Sequence, residues 1–154
     1  MAATLLYWDS NAFLGWLQGE ADKVDLCRGT IERAQGGEVV IVTSALTIAE
    51  VLWLRNSPPI PKDRACMVQK FFGRSYIRVR NVTRDVAENS QSLVWDHRIK
   101  PKDAIHVATA LAAHVLALET FDDGLLSQSG KVGSPPLIVR KPQPPRQGAL
   151  DLVQ

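Results

Sequence analysis

A chain of 154 residues suits one domain that buries about two thirds of the surface its unfolded form exposes, so folding requires no disulfide staple or structural metal. Hydrophobic residues at 45%, charged residues at 22% and a net charge of +2 are ordinary for a soluble, mildly basic globular protein; they permit a nucleic-acid partner without demanding one. Cys27 and Cys66 form no CxxC pair and no Cys/His cluster at zinc spacing, which excludes the common zinc modules and leaves two reduced thiols as the expectation.

The N-terminus, MAATLLYWDSNAF, has no basic leader and its apolar run is interrupted by Asp9, so it does not read as a signal peptide. Within it TLLYW is expected to be a buried strand, and NAFLGWLQG has helical spacing. DKVDLCRGTIERAQGG predicts an amphipathic helix stopped at Gly36 and Gly37. VVIVT is a strand by its β-branched content. ALTIAEVLWLR is expected as the next helix, ended by Pro58, Pro59 and Pro61. KDRACMVQKFFGR, residues 62–74, predicts another amphipathic helix, and Ile77–Val79 a strand. Thr83 then caps the helix RDVAENSQSLVWDHR, and Pro101 opens the helix PKDAIHVATALA at its favoured first position. VLALET is a strand, FDDG a turn before a short helix at GLLSQ, and PLIVRK a last strand. The tract AIHVATALAAHVLAL is broken by two histidines and falls short of the ~18 residues of a membrane helix, so a cytosolic protein with no membrane partner is expected. Residues 1–141 form the expected domain, and the proline-rich tail 142–154 is expected to be extended or loosely docked.

Strands alternating with helices imply an α/β domain with a mostly parallel central sheet and helices on both faces. Reactive groups in such sheets collect at the carboxyl ends of the strands. Four acids sit at matching places, each in apolar sequence: Asp9 after the first strand, Glu50 in the helix after the second, Asp103 in the first turn of its helix, and Asp122 after LALET. Three of them have plain explanations. Asp9 suits a helix cap, Asp103 complements a helix dipole, and Asp122 suits a turn. Glu50, among Leu46, Ile48, Val51 and Leu52, reads as mid-helix, where neither explanation applies. Carboxylates converging in one cleft repel and hold protons unless a cation neutralises them. Mg²⁺ or Mn²⁺, which prefer oxygen ligands and keep waters, are the natural cations and suit phosphoryl chemistry.

The segments LLYWDSNAFLGWL, VTSALTIAEVLWL, IKPKDAIHVATALAAHV and LALETFDDGL, spanning residues 5–126, resemble the PIN-domain ribonucleases, and among them the VapC-like toxins of toxin–antitoxin modules. The resemblance implies a three-layer α/β/α sandwich and a metal-dependent endoribonuclease. It implies that Asp9 and Asp103 are central ligands of Mg²⁺ or Mn²⁺, with Glu50 and Asp122 completing the catalytic site and Asp123 as a substitute for Asp122. It also implies an RNA substrate, a cognate antitoxin and a homodimer.

Ser10, Asn11 and Thr120 are placed to hydrogen-bond these acids or to act as ordinary caps and turns. His106 is expected to be a core or supporting residue rather than a base. Lys70, Arg74, Arg78, Arg80, Arg84, Lys100 and Lys102 offer a basic rim for RNA or a merely solvated face. Helices around Trp16 and Leu52–Trp53 offer apolar contacts for partners, although the plain expectation for all four tryptophans is the core. Competing functions are a nuclease of the same fold in RNA processing or DNA repair without an antitoxin, and a catalytically idle metal- or RNA-binding module. A phosphoacceptor signalling domain lacks its expected lysine.

Overall fold

The computed structural model describes residues 2–53 and 58–145. Strands and helices alternate along it as β1 (Thr4–Trp8), α1 (Ser10–Leu17), α2 (Ala21–Gln35), β2 (Val39–Ser44), α3 (Ala45–Glu50), α4 (Lys62–Phe72), β3 (Ile77–Arg80), α5 (Arg84–His97), α6 (Pro101–Ala112), β4 (Ala117–Glu119), α7 (Asp123–Leu126) and β5 (Ile138–Arg140). The five strands form one sheet in the order β3-β2-β1-β4-β5, and every neighbouring pair is parallel. The chain steps outward from β1 to β2 and β3, then returns to place β4 on the other side of β1. That reversal makes β1 and β4 the switch point, where open α/β sheets hold their sites.

Strand alternation sorts the side chains into two cores. Tyr7, Val42 and Leu118 belong to the core shared with Val86, Leu93, Ala104 and Val107 of α5 and α6. Leu6, Trp8, Ile41 and Ala117 belong to the other, with Phe13, Cys27, Ile31 and Phe72 of α1, α2 and α4. Both faces of the sheet are therefore covered, which is why TLLYW and VVIVT read as continuous apolar runs rather than as alternating strands. Both cysteines are free thiols, Cys27 buried and Cys66 exposed. Among the described residues no helix is long and apolar enough to cross a membrane.

The helix ends carry the expected signals in most places. Thr83 Oγ1 accepts from the Val86 N–H at 3.2 Å, and Pro101 occupies the first turn of α6. Two elements differ from the sequence expectation. The helix expected across ALTIAEVLWLR ends at Glu50, where the Leu52 and Trp53 N–H groups donate back to the Ala49 and Glu50 carbonyls as a tightening last turn. Ile60 N–H then donates to Leu52 O at 2.8 Å as the chain comes back. Leu54 and Arg55, part of that expected helix, lie outside the described residues. Glu50 is thus the last residue of a short helix, not a mid-helix residue. Likewise α7 begins at Asp123, with Asp122 as its cap, where a plain turn was expected to come first.

The tryptophans do not all lie in the core. Trp8 is fully buried and Trp16 packs partly buried beside it, but Trp53 is 66% exposed and Trp95 70% exposed. The described start of the tail is docked. Pro142 is buried, and the backbone of Gln143 and Pro144 passes directly over Gly29 of α2, where an added Cβ would stand 2.2 Å from Gln143 O.

Candidate active site

Asp9 follows β1 immediately and is 2% exposed. Its Oδ1 accepts from the Ala12 N–H at 3.0 Å, so it caps α1 as its residue type suggests. Its Oδ2 accepts from the Thr120 hydroxyl at 2.6 Å, which ties the end of β1 to the residue after β4. Burial pushes the Asp9 carboxyl up to about 6, and the Asp103 charge adds to this; His106, Thr120 and the Ala12 amide oppose it without cancelling it. A cap alone does not need a buried carboxylate with both oxygens engaged across two strands.

His106, one turn past Asp103 on α6, is 1% exposed. The Tyr7 hydroxyl lies 2.7 Å from its Nδ1, and Glu50 Oε1 lies 2.7 Å from its Nε2. Each of its ring nitrogens therefore has a partner inside the protein, and the histidine joins β1, α3 and α6. Burial would raise the Glu50 carboxyl, but the hydrogen bond and charge of His106, with Ser10 and Lys102, outweigh it and hold Glu50 below the usual range. Burial, helped by Asp9, pushes the Tyr7 hydroxyl well above its ordinary value, so it stays protonated.

Asp103 stands in the first turn of α6, flanked by exposed Lys100 and Lys102. Burial raises its carboxyl first, then the negative charges of Asp122 and Glu50; His106 and Lys100 pull the other way. Asp122 caps α7, its Oδ2 accepting from the Leu125 N–H at 2.9 Å, while its own N–H donates to Thr120 Oγ1 at 3.0 Å. Thr120 thus links Asp9 to Asp122, and the supporting role open to it in the sequence is the one the hydrogen bonds give it.

The fold brings Asp9, Glu50, Asp103 and Asp122 to the carboxyl end of the sheet within electrostatic reach of Asp103. Among the described residues no three His, Cys, Asp or Glu side chains stand close enough to hold a metal ion together. The chemistry of the donors nonetheless fits a hard divalent cation. All four are carboxylates, and two of them are raised in part by another acid of the group, the condition a cation relieves. Both Asp9 oxygens accept a hydrogen bond, from Ala12 and Thr120, and one Glu50 oxygen is held by His106, which leaves each carboxylate a free lone pair for such an ion. Asp123, the substitute for Asp122, is exposed at the first position of α7.

Sequence reasoning passed over two features. Glu119, fully buried at the end of β4, accepts from Trp8 Nε1 at 2.9 Å and from the Thr30 hydroxyl at 2.7 Å, with Arg140 Nε 3.3 Å away. It is a paired structural acid; the signal was a carboxylate inside the strand VLALET itself. The second feature is a polar groove of about 880 Å³ lined by Ser10, Asn11, Glu50, Trp53, Phe121 and Asp122, among others. The basic rim proposed from the sequence is exposed at Lys70, Arg74, Arg78, Arg80 and Arg84, and Arg84 pairs with Glu88 at 2.7 Å.

The PIN domain family model matches residues 6–131, which contain all four acids. Solved structures share the fold at low identity. Mycobacterium tuberculosis VapC20, a toxin that cleaves the sarcin-ricin loop, is 20% identical with a TM-score of 0.60, covering 79% of this chain and 94% of its own. A toxin–antitoxin complex from Klebsiella pneumoniae is 21% identical with a TM-score of 0.58, covering 86% and 99%. FitAB bound to a DNA fragment is 16% identical with a TM-score of 0.57, covering 89% and 94%. No curated protein matches the sequence significantly.

Proposed function

The chain belongs to the PIN-domain family, and from that premise we propose that it is a metal-dependent endoribonuclease, the toxin of a toxin–antitoxin pair acting in the cytosol. The observation that carries the reading is the electrostatic coupling of Asp9, Glu50 and Asp122 through Asp103 at the sheet's switch point. Structural scaffolding alone does not call for like charges to be assembled there.

Asp9 and Asp103 would hold Mg²⁺ or Mn²⁺, with Glu50 and Asp122 completing the set. When bound, the cation neutralises the acids, admits the phosphate and stabilises charge on the departing oxygen. The protein's own groups do the remaining work. Thr120 holds Asp9 in place and sets its spacing from Asp122. His106, anchored on Tyr7, orients Glu50 and keeps it ionised. Glu50 accepts a hydrogen bond from the attacking water. That water's oxygen bonds to phosphorus as the P–O3′ bond breaks; the water gives up one proton through Glu50 to solvent, and the leaving 3′ oxygen takes one proton from solvent. Attack by water rather than by the ribose 2′-hydroxyl is favoured because His106, the imidazole among the acids, is buried with each ring nitrogen partnered and so is not placed to deprotonate a 2′-hydroxyl. The products carry 5′-phosphate and 3′-hydroxyl ends.

Lys100 and Lys102 beside Asp103 draw the polyanion toward the acids. The toxin–antitoxin complex from Klebsiella supports a cognate antitoxin that masks the cleft. The reading also includes a homodimer, and residues 1–141 as the nuclease domain with 142–154 as its tail.

The test is incubation of the full chain with a pool of single-stranded and structured RNAs in Mg²⁺ or Mn²⁺, with EDTA and Asp103→Asn as controls. The reading expects cuts that need both the metal and Asp103, with ends that a 5′-phosphate-dependent exonuclease accepts. Ends bearing 2′,3′-cyclic phosphate would rule out the water mechanism. A folded, metal-supplied protein that cuts nothing would favour an idle binding module.

A further inference from the structure

Trp53 is 66% exposed although its ring is among the largest apolar surfaces in the chain, and the same fold buries Trp8 completely. An exposed tryptophan is informative where it lines a concavity. Trp53 lines the polar groove that also reaches Glu50 and Asp122. Its position relative to the acids is set by the backbone, since its N–H donates to the Glu50 carbonyl at 3.2 Å, one short turn past the carboxylate residue. A second aromatic ring, Phe121, lines the groove next to Asp122 in the chain. Phe121 is seated against α1, where an added Cβ on Gly15 would be 3.0 Å from the ring, and Lys23 Nζ lies 5.6 Å from the ring centroid. The groove is also lined by Ser10, Asn11 and Gln18, neutral polar groups suited to base edges, beside the acids Glu20, Glu50, Asp122 and Asp123.

An aromatic face and neutral hydrogen-bonding groups beside a phosphate-cutting site match one occupant best. We propose that Trp53 is a stacking platform for an unpaired nucleobase of the RNA substrate, placed next to the scissile phosphate. A protein partner is disfavoured by the groove's polar lining, because interface cores are depleted in charge and this one carries Glu20, Lys23, Glu50, Asp122 and Asp123. The inference rests on the ribonuclease reading and adds the site that selects single-stranded RNA. Stacking on a π face tolerates every base, so Trp53 favours unpaired RNA without choosing its sequence.

The test is fluorescence anisotropy of short labelled RNA oligomers with the full chain, using Ca²⁺ in place of Mg²⁺ and checking that the oligomers are recovered intact. Wild type, Trp53→Ala and Trp53→Phe are compared on unmodified oligomers and on abasic oligomers with the same phosphates. Trp53→Ala weakens binding of the unmodified oligomer on the order of tenfold, Trp53→Phe recovers most of it, and the abasic oligomer binds both variants and wild type alike. Circular dichroism and melting temperature stay at wild-type values because the ring is exposed. Equal binding of unmodified RNA by wild type and Trp53→Ala, while wild type still cleaves RNA, overturns the stacking site and leaves the nuclease reading standing. An equal loss on abasic RNA assigns Trp53 to the backbone and also overturns it, as does a Trp53→Ala variant that keeps RNA binding but loses a cognate antitoxin. A wild type that neither binds nor cuts RNA overturns both readings.

Discussion

His106 has a partner on each ring nitrogen, Tyr7 on one and Glu50 on the other, and is 1% exposed. In the proposed site it positions Glu50. Tyr7→Phe removes one hydroxyl and leaves a buried histidine nitrogen unpaired, and should cost about 1–2 kcal/mol of stability with a small loss of cleavage. His106→Ala leaves a cavity, a Tyr7 hydroxyl without its imidazole partner and an untethered Glu50. It should cost about 2–4 kcal/mol in urea unfolding and lower RNA cleavage by at least about tenfold at a temperature where the variant is folded. Equal cleavage by folded His106→Ala and wild type would remove His106 from the site. Asp9, Asp103 and Asp122 were legible in the sequence because each follows an apolar strand or opens an apolar helix. Glu50 was legible as an acid in apolar surroundings but not in its true setting. The pair His106–Tyr7 joins residues 99 apart in the chain, and no local pattern encodes such a contact.

Among the elements, the strands were the most readable, because burial on both faces of a parallel sheet leaves long β-branched and aromatic runs. The helix bearing Glu50 was the least readable. Leu52 and Trp53 extend the apolar pattern past its end, but Leu52 turns inward as a partner of Ile60 and Trp53 turns outward into the groove, so the pattern continued where the helix did not. The tail was expected to be extended or loosely docked, and its described first residues are irregular and rest on α2. The place where it docks was not legible, because it depends on Gly29 having no side chain. This contact predicts a change of sign. In the full chain Gly29→Ala should destabilise, by about 1–3 kcal/mol, since its Cβ would collide with the backbone of Gln143 and Pro144. In a chain ending at residue 141 the same substitution should stabilise by up to about 1 kcal/mol, because alanine is the better helix former. Thermal or urea unfolding of the four proteins checks this, and an equal effect in both lengths would show that the tail contact does not matter.

At the scale of the whole molecule, the sheet order β3-β2-β1-β4-β5 collects the ends of β1 and β4 at one switch point, while α3, which follows β2, carries Glu50 there and α6, which precedes β4, carries Asp103. One side of the sheet supplies Tyr7 and His106 as supports, while the paired Glu119 ties β1, α2, β4 and β5 together on the other. The fold as a whole was readable from alternation and strand-end acids. The spacing of the carboxylates was not, because it depends on hydrogen bonds across the sheet: Thr120 to Asp9, His106 to Glu50. The account makes that acidic end a divalent-cation site. The most direct test is a titration of the metal-free full chain with Mn²⁺, followed by the loss of the free-ion electron paramagnetic resonance signal and repeated with Asp103→Asn. Saturable Mn²⁺ uptake by the wild type, displaced by Mg²⁺ and weakened at least about tenfold by Asp103→Asn, is the predicted result. A wild type that leaves the signal unchanged, or an Asp103→Asn variant that binds Mn²⁺ as tightly, would contradict it.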